Sequence, residues 1–159
     1  MPDSPRTIRE RFVLRLFHLW FLLSRPMTLG VRAIAIDARD AVLLVRHTYV
    51  PGWHLPGGGV EPGETALAAL ARELQEEGNV AMEGEPRLHG IFFNKAVSRR
   101  DHVAIYIVRR FHQSGPRLPD REIAEARFFA RDALPEGVSR ATRARLAEAL
   151  DGAPASQIW

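Results

Sequence analysis

The apolar positions fall into two kinds of period, and the switches between them predict the elements. From Ile8 to Leu23, Phe12, Leu16, Leu19, Trp20 and Leu23 recur at three- and four-residue spacing, with Arg9, Arg11, Arg15 and His18 elsewhere. That is the period of an amphipathic helix. Two mostly apolar, β-branched runs follow, Val31 to Asp37 and Ala41 to Tyr49. With Ala38-Arg39-Asp40 as the turn, they are expected to pair as a hairpin. From about Thr65 to Glu77 the period is helical again, and Leu67, Leu70, Ala71 and Leu74 form the apolar stripe. Arg87 to Lys95 and His102 to Phe111 read as strands joined by the polar loop Ala96 to Asp101. The second is apolar at nearly every position, the mark of a central strand covered on both faces. Glu122 to Ala130 reads as a short strand, although its period also permits a helical turn. Ser139 is a good N-cap for a last helix to Leu150 that buries Leu146, Ala149 and Leu150, and Gly152 with Pro154 stops it. Residues 1–7 and the C-terminal tail are expected to be loose. The chain thus divides into an N-terminal tail and helix (1–28), a main domain (29–152) and a C-terminal tail (153–159).

At 159 residues the main part is long enough for one domain with a real core. Hydrophobic content of 46% and charged content of 26% are ordinary for a globular protein. The formal charge is +3, and every basic residue except Lys95 is an arginine. Such a surface suits an anionic substrate, but it is too weak to argue for a stable nucleic-acid complex. The chain has no cysteine, so disulfides, thiolate catalysis and cysteine-based zinc sites are excluded.

The apolar core of the first helix, FVLRLFHLWFLL, is shorter than the ~20 residues a bilayer-spanning helix needs, and it includes an arginine. Ser24-Arg25-Pro26 is a poor signal-peptide cleavage site. The favoured expectation is a helix packed on the domain or on a second subunit, which would make a homodimer. Membrane-surface contact through Trp20, the phenylalanines and the arginines is the second reading. A cytoplasmic location is expected.

The chemistry concentrates between Gly57 and Val80. Glu73, Glu76 and Glu77 stand at i, i+3 and i+4 on the second helix, so three carboxylates share neighbouring positions. Like charges at that spacing destabilise a helix, and a divalent cation is the natural offset. Oxygen ligands suit Mg²⁺ or Mn²⁺ rather than zinc. Ala66 and Ala69, one and two turns earlier, are expected to leave room above the helix for a bulky anion. A merely solvated acidic face would call for interspersed Lys or Arg. It supplies only Arg72, and it leaves the Gly-rich lead-in without a reason.

The residues run Gly58, five residues, Glu64, seven residues, Arg72-Glu73-Leu74, one residue, Glu76-Glu77, one residue, Asn79-Val80. This resembles the Nudix box, the signature of hydrolases that cleave a nucleoside diphosphate linked to another group. The one departure is Asn79, where the family usually has Gly. Asn is the non-Gly residue that best tolerates the left-handed conformation that commonly ends a helix. The resemblance covers about residues 29–150 and implies an α/β (α+β) fold, an α/β/α sandwich around a mixed sheet, with the N-terminal amphipathic helix as an addition. It implies Mg²⁺ or Mn²⁺ as cofactor, held by Glu73, Glu76 and Glu77 and the carbonyl of Gly58. One of the three glutamates is expected to accept a proton from the attacking water, Arg72 to orient the carboxylates, and Glu64 to support the site from behind. The expected partner is a small molecule of the nucleoside diphosphate class, such as a nucleoside triphosphate, a nucleotide sugar or ADP-ribose.

Outside the box the candidates are single residues. Arg46, at a strand end near the Gly-rich loop, reads equally as a phosphate contact and as a solvent-facing arginine; His47 beside it is weaker. Lys95 and Arg99, with Arg100 and Asp101, mark the 96–101 loop as a place for substrate selection. The family's acidic residues after the box sometimes approach the metal, which adds Glu122 and Glu125. Trp53, Leu55 and Pro56 read as wedges for the loop. A nucleotide-binding regulatory module without hydrolysis is the alternative on the same scaffold, although such modules usually lose box glutamates and this chain keeps them all. An isoprenyl diphosphate isomerase of this fold calls for a catalytic cysteine, which the chain lacks.

Overall fold

The computed structural model describes residues 8–159, with the side chains of residues 9–12 left aside. The expectation for residues 1–7 lies outside the described residues. The elements are α1 (Ile8–Ser24), β1 (Thr28–Ala35), β2 (Val42–His47), α2 (Ala66–Gly78), β3 (Val80–Met82), β4 (Arg87–Phe93), β5 (Asp101–Val108), β6 (Phe111–Gln113), β7 (Ile123–Phe129) and α3 (Arg140–Leu150).

Three ladders organise the strands. β5 lies between β1, to which it is parallel, and β4, to which it is antiparallel. β2 pairs antiparallel with β7, and the short β3 with β6. Because strand side chains alternate between faces, β1 and β2 each feed two cores. Val31, Ala33, Leu43 and Val45 join Leu70 and Leu74 of α2. Ile34, Ile36, Val42 and Leu44 join Leu146 of α3, with Trp53 and Leu55 from the loop after β2. The result is the expected mixed sheet between helices. β5 is the covered central strand foreseen from its composition, with Val103, Ala104, Ile105, Ile107 and Val108 all buried.

Four expectations are corrected. β1 and β2 do not form a hairpin ladder. The Asp37 carboxylate accepts hydrogen bonds from the amides of Arg39 (2.9 Å) and Ala41 (2.8 Å), and Asp40 takes φ 61°, so the turn is made. Beyond a single bridge between Ile36 and Val42 the strands part, one to β5 and the other to β7. Strands apolar on both faces satisfy their ladders with any neighbour of the right register, so adjacency in sequence did not decide the pairing.

On α2, Leu67 is exposed, whereas Ala69 is sealed in the core, so the stripe is Ala69, Leu70, Leu74 and Glu77. Ala69 leaves no room for a ligand there. The C-terminal tail is not loose. Phe93 and Ile158 bridge in parallel, and the Trp159 amide donates to the Phe93 carbonyl at 3.0 Å. The buried Arg145 of α3 donates to the Ile158 carbonyl at 2.9 Å and sits 4.1 Å from the centre of the Phe92 ring.

Finally, α1 does not pack on the domain. From Val13 to Arg25 every residue is exposed. No described helix is long and apolar enough to cross a membrane.

Candidate active site

The Gly-rich loop runs along the edge of β1 that β5 leaves free. The Val31 amide donates to the Gly58 carbonyl (2.8 Å), the Ala33 amide to Pro56 (2.9 Å), and the Val60 amide to Leu29 (2.8 Å). Two of its glycines are sterically required. Gly57 has φ 140°, and a side chain there would collide with the Val31 carbonyl. A side chain on Gly58 would occupy the space taken by the Glu73 carboxylate.

After the loop, the Thr65 hydroxyl caps α2 by accepting from the Ala68 amide at 3.1 Å. Asn79 ends the helix in the left-handed region, φ 51° and ψ 39°, as its place in the motif foretold. Its side chain does more than permit that turn. It donates to Ser114 Oγ (3.2 Å) and to the Gly115 carbonyl (3.0 Å).

The three box glutamates fall into three environments, because 100° per residue spreads them around α2. Glu77 points into the protein with 7% of its side chain exposed. Its Oε2 accepts from the Gly57 amide at 2.7 Å, and its Oε1 is 3.5 Å from His47 Nε2. Burial pushes its carboxyl up to about 7, against the opposing pull of the Gly57 amide and the nearby Arg32 guanidinium. Burial also lowers His47, helped by Arg32, so that imidazole is neutral and does not balance the carboxylate. Glu73 lies against Gly58 and accepts from Arg72 Nη1 at 2.7 Å. Glu76 is the exposed member, 59% accessible, with a 3.3 Å contact to Arg72.

Arg72 is the hub of the outer carboxylates. Its Nε and Nη2 grip Glu64 at 3.0 and 3.2 Å, and Nη2 also donates to the Gly59 carbonyl at 3.1 Å. These bonds, Glu64 first and Glu73 second, hold the guanidinium firmly protonated, and the same pairing lowers the Glu64 carboxyl.

Two adjoining cavities open here. One, of about 350 Å³, has Glu73, Glu77 and Glu122 on its walls together with Arg32, His47 and Tyr49. The other, of about 710 Å³, is lined by apolar groups, among them Met27, Leu29, Val60, Val97 and Val103, and by the polar side chains of Thr28, Arg32, Glu61, Asn94 and Asp101. They share Arg32, Gly58 and Gly59. Glu122 accepts from the Tyr49 hydroxyl at 3.2 Å. Glu125 faces away and pairs with Arg46 at 3.0 Å. Arg46, Lys95 and Arg99 line neither cavity. Trp53 and Leu55 are buried in the α3-side core, as wedges should be.

Sequence reasoning passed over Arg32, Tyr49 and Asn94, and it named Asp101 only as one of the 96–101 loop residues. Arg32 carried a signal, since it is the one charged residue inside the apolar run of β1. Its Nη1 donates to the carbonyls of Leu55 (3.2 Å) and Gly57. Asp101 is held by the Thr28 hydroxyl at 2.6 Å and the Asn94 amide at 2.7 Å.

Among the described residues no three His, Cys, Asp or Glu side chains are already gathered around a common point for a metal ion. The donors nevertheless suit a hard cation. All are oxygens, and Glu77 is a buried carboxylate met by one amide and a neutral imidazole, with the Arg32 guanidinium near but not bonded to it, so that burial outweighs the compensation.

The family model described as NUDIX domain matches residues 26–150. The chain belongs to the Nudix family. Among relatives of this Nudix chain, a MutT-like protein from Streptomyces ambofaciens is 28% identical over 131 residues, covering 82% of each. A protein from Bacillus subtilis called a putative 8-oxo-dGTP diphosphatase is 46% identical over 50 residues, which span 31% of this chain and only 34% of that one. A solved structure, a MutT Nudix hydrolase from Burkholderia pseudomallei, superposes with a TM-score of 0.64 at 27% identity, covering 75% of this chain and 95% of the other.

Proposed function

We propose that this Nudix chain hydrolyses a phosphoric anhydride in a nucleoside diphosphate linked to another group, with Mg²⁺ or Mn²⁺ as cofactor. The observation that carries the reading is Glu77, a buried and under-compensated carboxylate on the wall of a cavity that also holds Glu73 and Glu122. Glu77 and Glu73 would hold the cation. Glu76 is free to turn toward it, since its exposed side chain is tied only to Arg72. The Gly58 carbonyl already accepts from the Val31 amide, so it would contribute its second lone pair. When bound, the cation neutralises phosphate charge and acidifies water.

The chain's own residues do the rest. Arg72 fixes Glu73 and Glu64 in place. Glu122, under the Tyr49 hydroxyl, is the carboxylate best placed to accept a proton from water in the cavity, because its side chain is not locked into an ion pair. Arg32, on the wall common to both cavities, would hold the phosphate that joins the reacting group to the rest of the substrate. The larger, more apolar cavity has the size of a nucleoside subsite. The name of the Bacillus subtilis relative, a putative 8-oxo-dGTP diphosphatase, favours a nucleoside triphosphate within the wider class that includes nucleotide sugars and ADP-ribose.

The test is a phosphate-release screen of the purified chain against nucleoside triphosphates, nucleotide sugars, ADP-ribose and dinucleotides, each with Mg²⁺ and with Mn²⁺. Turnover of at least one class, lost in chelator, is expected. Nucleotide binding with no turnover in any arm would contradict the hydrolase reading in favour of a binding module.

A further inference from the structure

Among the described residues, helix α1 has no partner in the domain. Val13, Leu14, Leu16, Phe17, Leu19, Trp20, Phe21, Leu22 and Leu23 are all exposed, and among the described residues no strand or other helix packs along α1 at length. So many large apolar side chains on one segment exceed the patch a soluble monomer usually shows to water.

Charge is distributed as unevenly. Residues 1–25 contain five arginines, Arg6, Arg9, Arg11, Arg15 and Arg25, against Asp3 and Glu10. Their balance of +3 equals that of the whole chain, so residues 26–159 are neutral in sum. At helical spacing Arg11, Arg15 and His18 follow one another at i, i+4 and i+7 along one narrow stripe. From Val13 onward the rest of the circumference is apolar apart from Ser24.

That arrangement discriminates between occupants. A second copy of the helix would cover a seam of two positions in seven, or a stripe of roughly 100°, and would leave most of this apolar arc wet. An acyl-chain boundary covers a wide arc, while arginine stems reach back to the headgroups. The helix is too short and too interrupted by Arg15 and His18 to cross. We infer that α1 is a docking element for an anionic lipid surface, lying along it with its basic stripe at the headgroups. Only Arg25–Met27 separate α1 from β1, and Met27, Thr28 and Leu29 line the larger cavity, so docking would hold that cavity close to the lipid. The inference stands independently of the hydrolase reading.

The test is co-sedimentation of the full chain with vesicles of phosphatidylcholine plus phosphatidylglycerol, and with phosphatidylcholine alone. Binding to the anionic vesicles is expected, falling as salt rises and at least about tenfold weaker without phosphatidylglycerol. Arg11→Gln/Arg15→Gln should bind about twenty-five-fold more weakly, at about fivefold per arginine. Leu16→Glu/Leu23→Glu should stay in the supernatant with an unchanged melting temperature, because α1 contributes nothing to the domain core. Three results would overturn the inference: a wild-type chain that stays in the supernatant with anionic vesicles; binding that all variants keep; or a lipid-indifferent dimer that Leu16→Glu/Leu23→Glu makes monomeric.

Discussion

Glu77 and Glu73 are one turn apart on α2, yet Glu73 takes a hydrogen bond from Arg72 whereas Glu77 has Arg32 near it without such a bond. In the metal-free protein burial raises the Glu77 carboxyl from its ordinary 4.5 to about 7. Between those values the folded chain holds a proton that the unfolded chain has released, so stability must fall as pH rises through that window. The contribution is whole below about pH 4.5 and gone above about pH 7. Melting in chelator should therefore show Glu77→Gln gaining on wild type as pH rises, with the two curves meeting at the acid end. Parallel curves would mean that Glu77 is ionised without cost. Asn79 carries a second prediction at this scale. Its left-handed φ could be read from the motif and from the chemistry of Asn, whereas its bonds to Ser114 and Gly115 come from a loop 35 residues away in sequence. Asn79→Gly keeps the turn and loses those bonds, for about 1 kcal/mol. Asn79→Val loses both, and urea unfolding should rank wild type above Gly and Gly above Val.

Helices α2 and α3 were legible because each carries its own capping signals. Thr65, Asn79 and Ser139 cap where their side-chain chemistry says they should. Strand partners were not, since β1 and β2 are apolar on both faces and their sequences hold no record of which neighbour supplies the ladder. The burial of charged groups by distant elements was equally hidden. Arg145 and Glu148 pair within α3, both nearly inaccessible, and His89 of β4 stands 3.5 Å from the glutamate. Glu148→Ala leaves a buried guanidinium uncompensated and should cost about 3 kcal/mol in urea unfolding. A change below about 1 kcal/mol would show that the C-terminal tail opens to let water reach Arg145. The Gly-rich loop is the opposite case, an element whose place follows from one missing side chain. Gly57→Ala, at φ 140° and against the Val31 carbonyl, should separate the loop from β1 and destabilise by more than about 2 kcal/mol.

At the scale of the whole molecule, the fold brings α2, the Gly-rich loop, the end of β2 and the start of β7 around one carboxylate-walled cavity, with a more apolar cavity beside it. The box glutamates could be read from the motif. The opposing wall combines Arg32 of β1 with Tyr49 and Glu122, which the β2–β7 ladder brings together; of the three, only Glu122 could be named from the sequence. The central claim is that this wall and α2 exist to hold a divalent cation against a diphosphate. Calorimetric titration of Mn²⁺ into wild type and into Glu73→Gln, Glu76→Gln and Glu77→Gln, above pH 7, tests it most directly. The account predicts one affinity for wild type, with Glu77→Gln and Glu73→Gln each weaker by at least about tenfold, the size of one lost charge-assisted contact. Unchanged Mn²⁺ affinity in all three variants would contradict it.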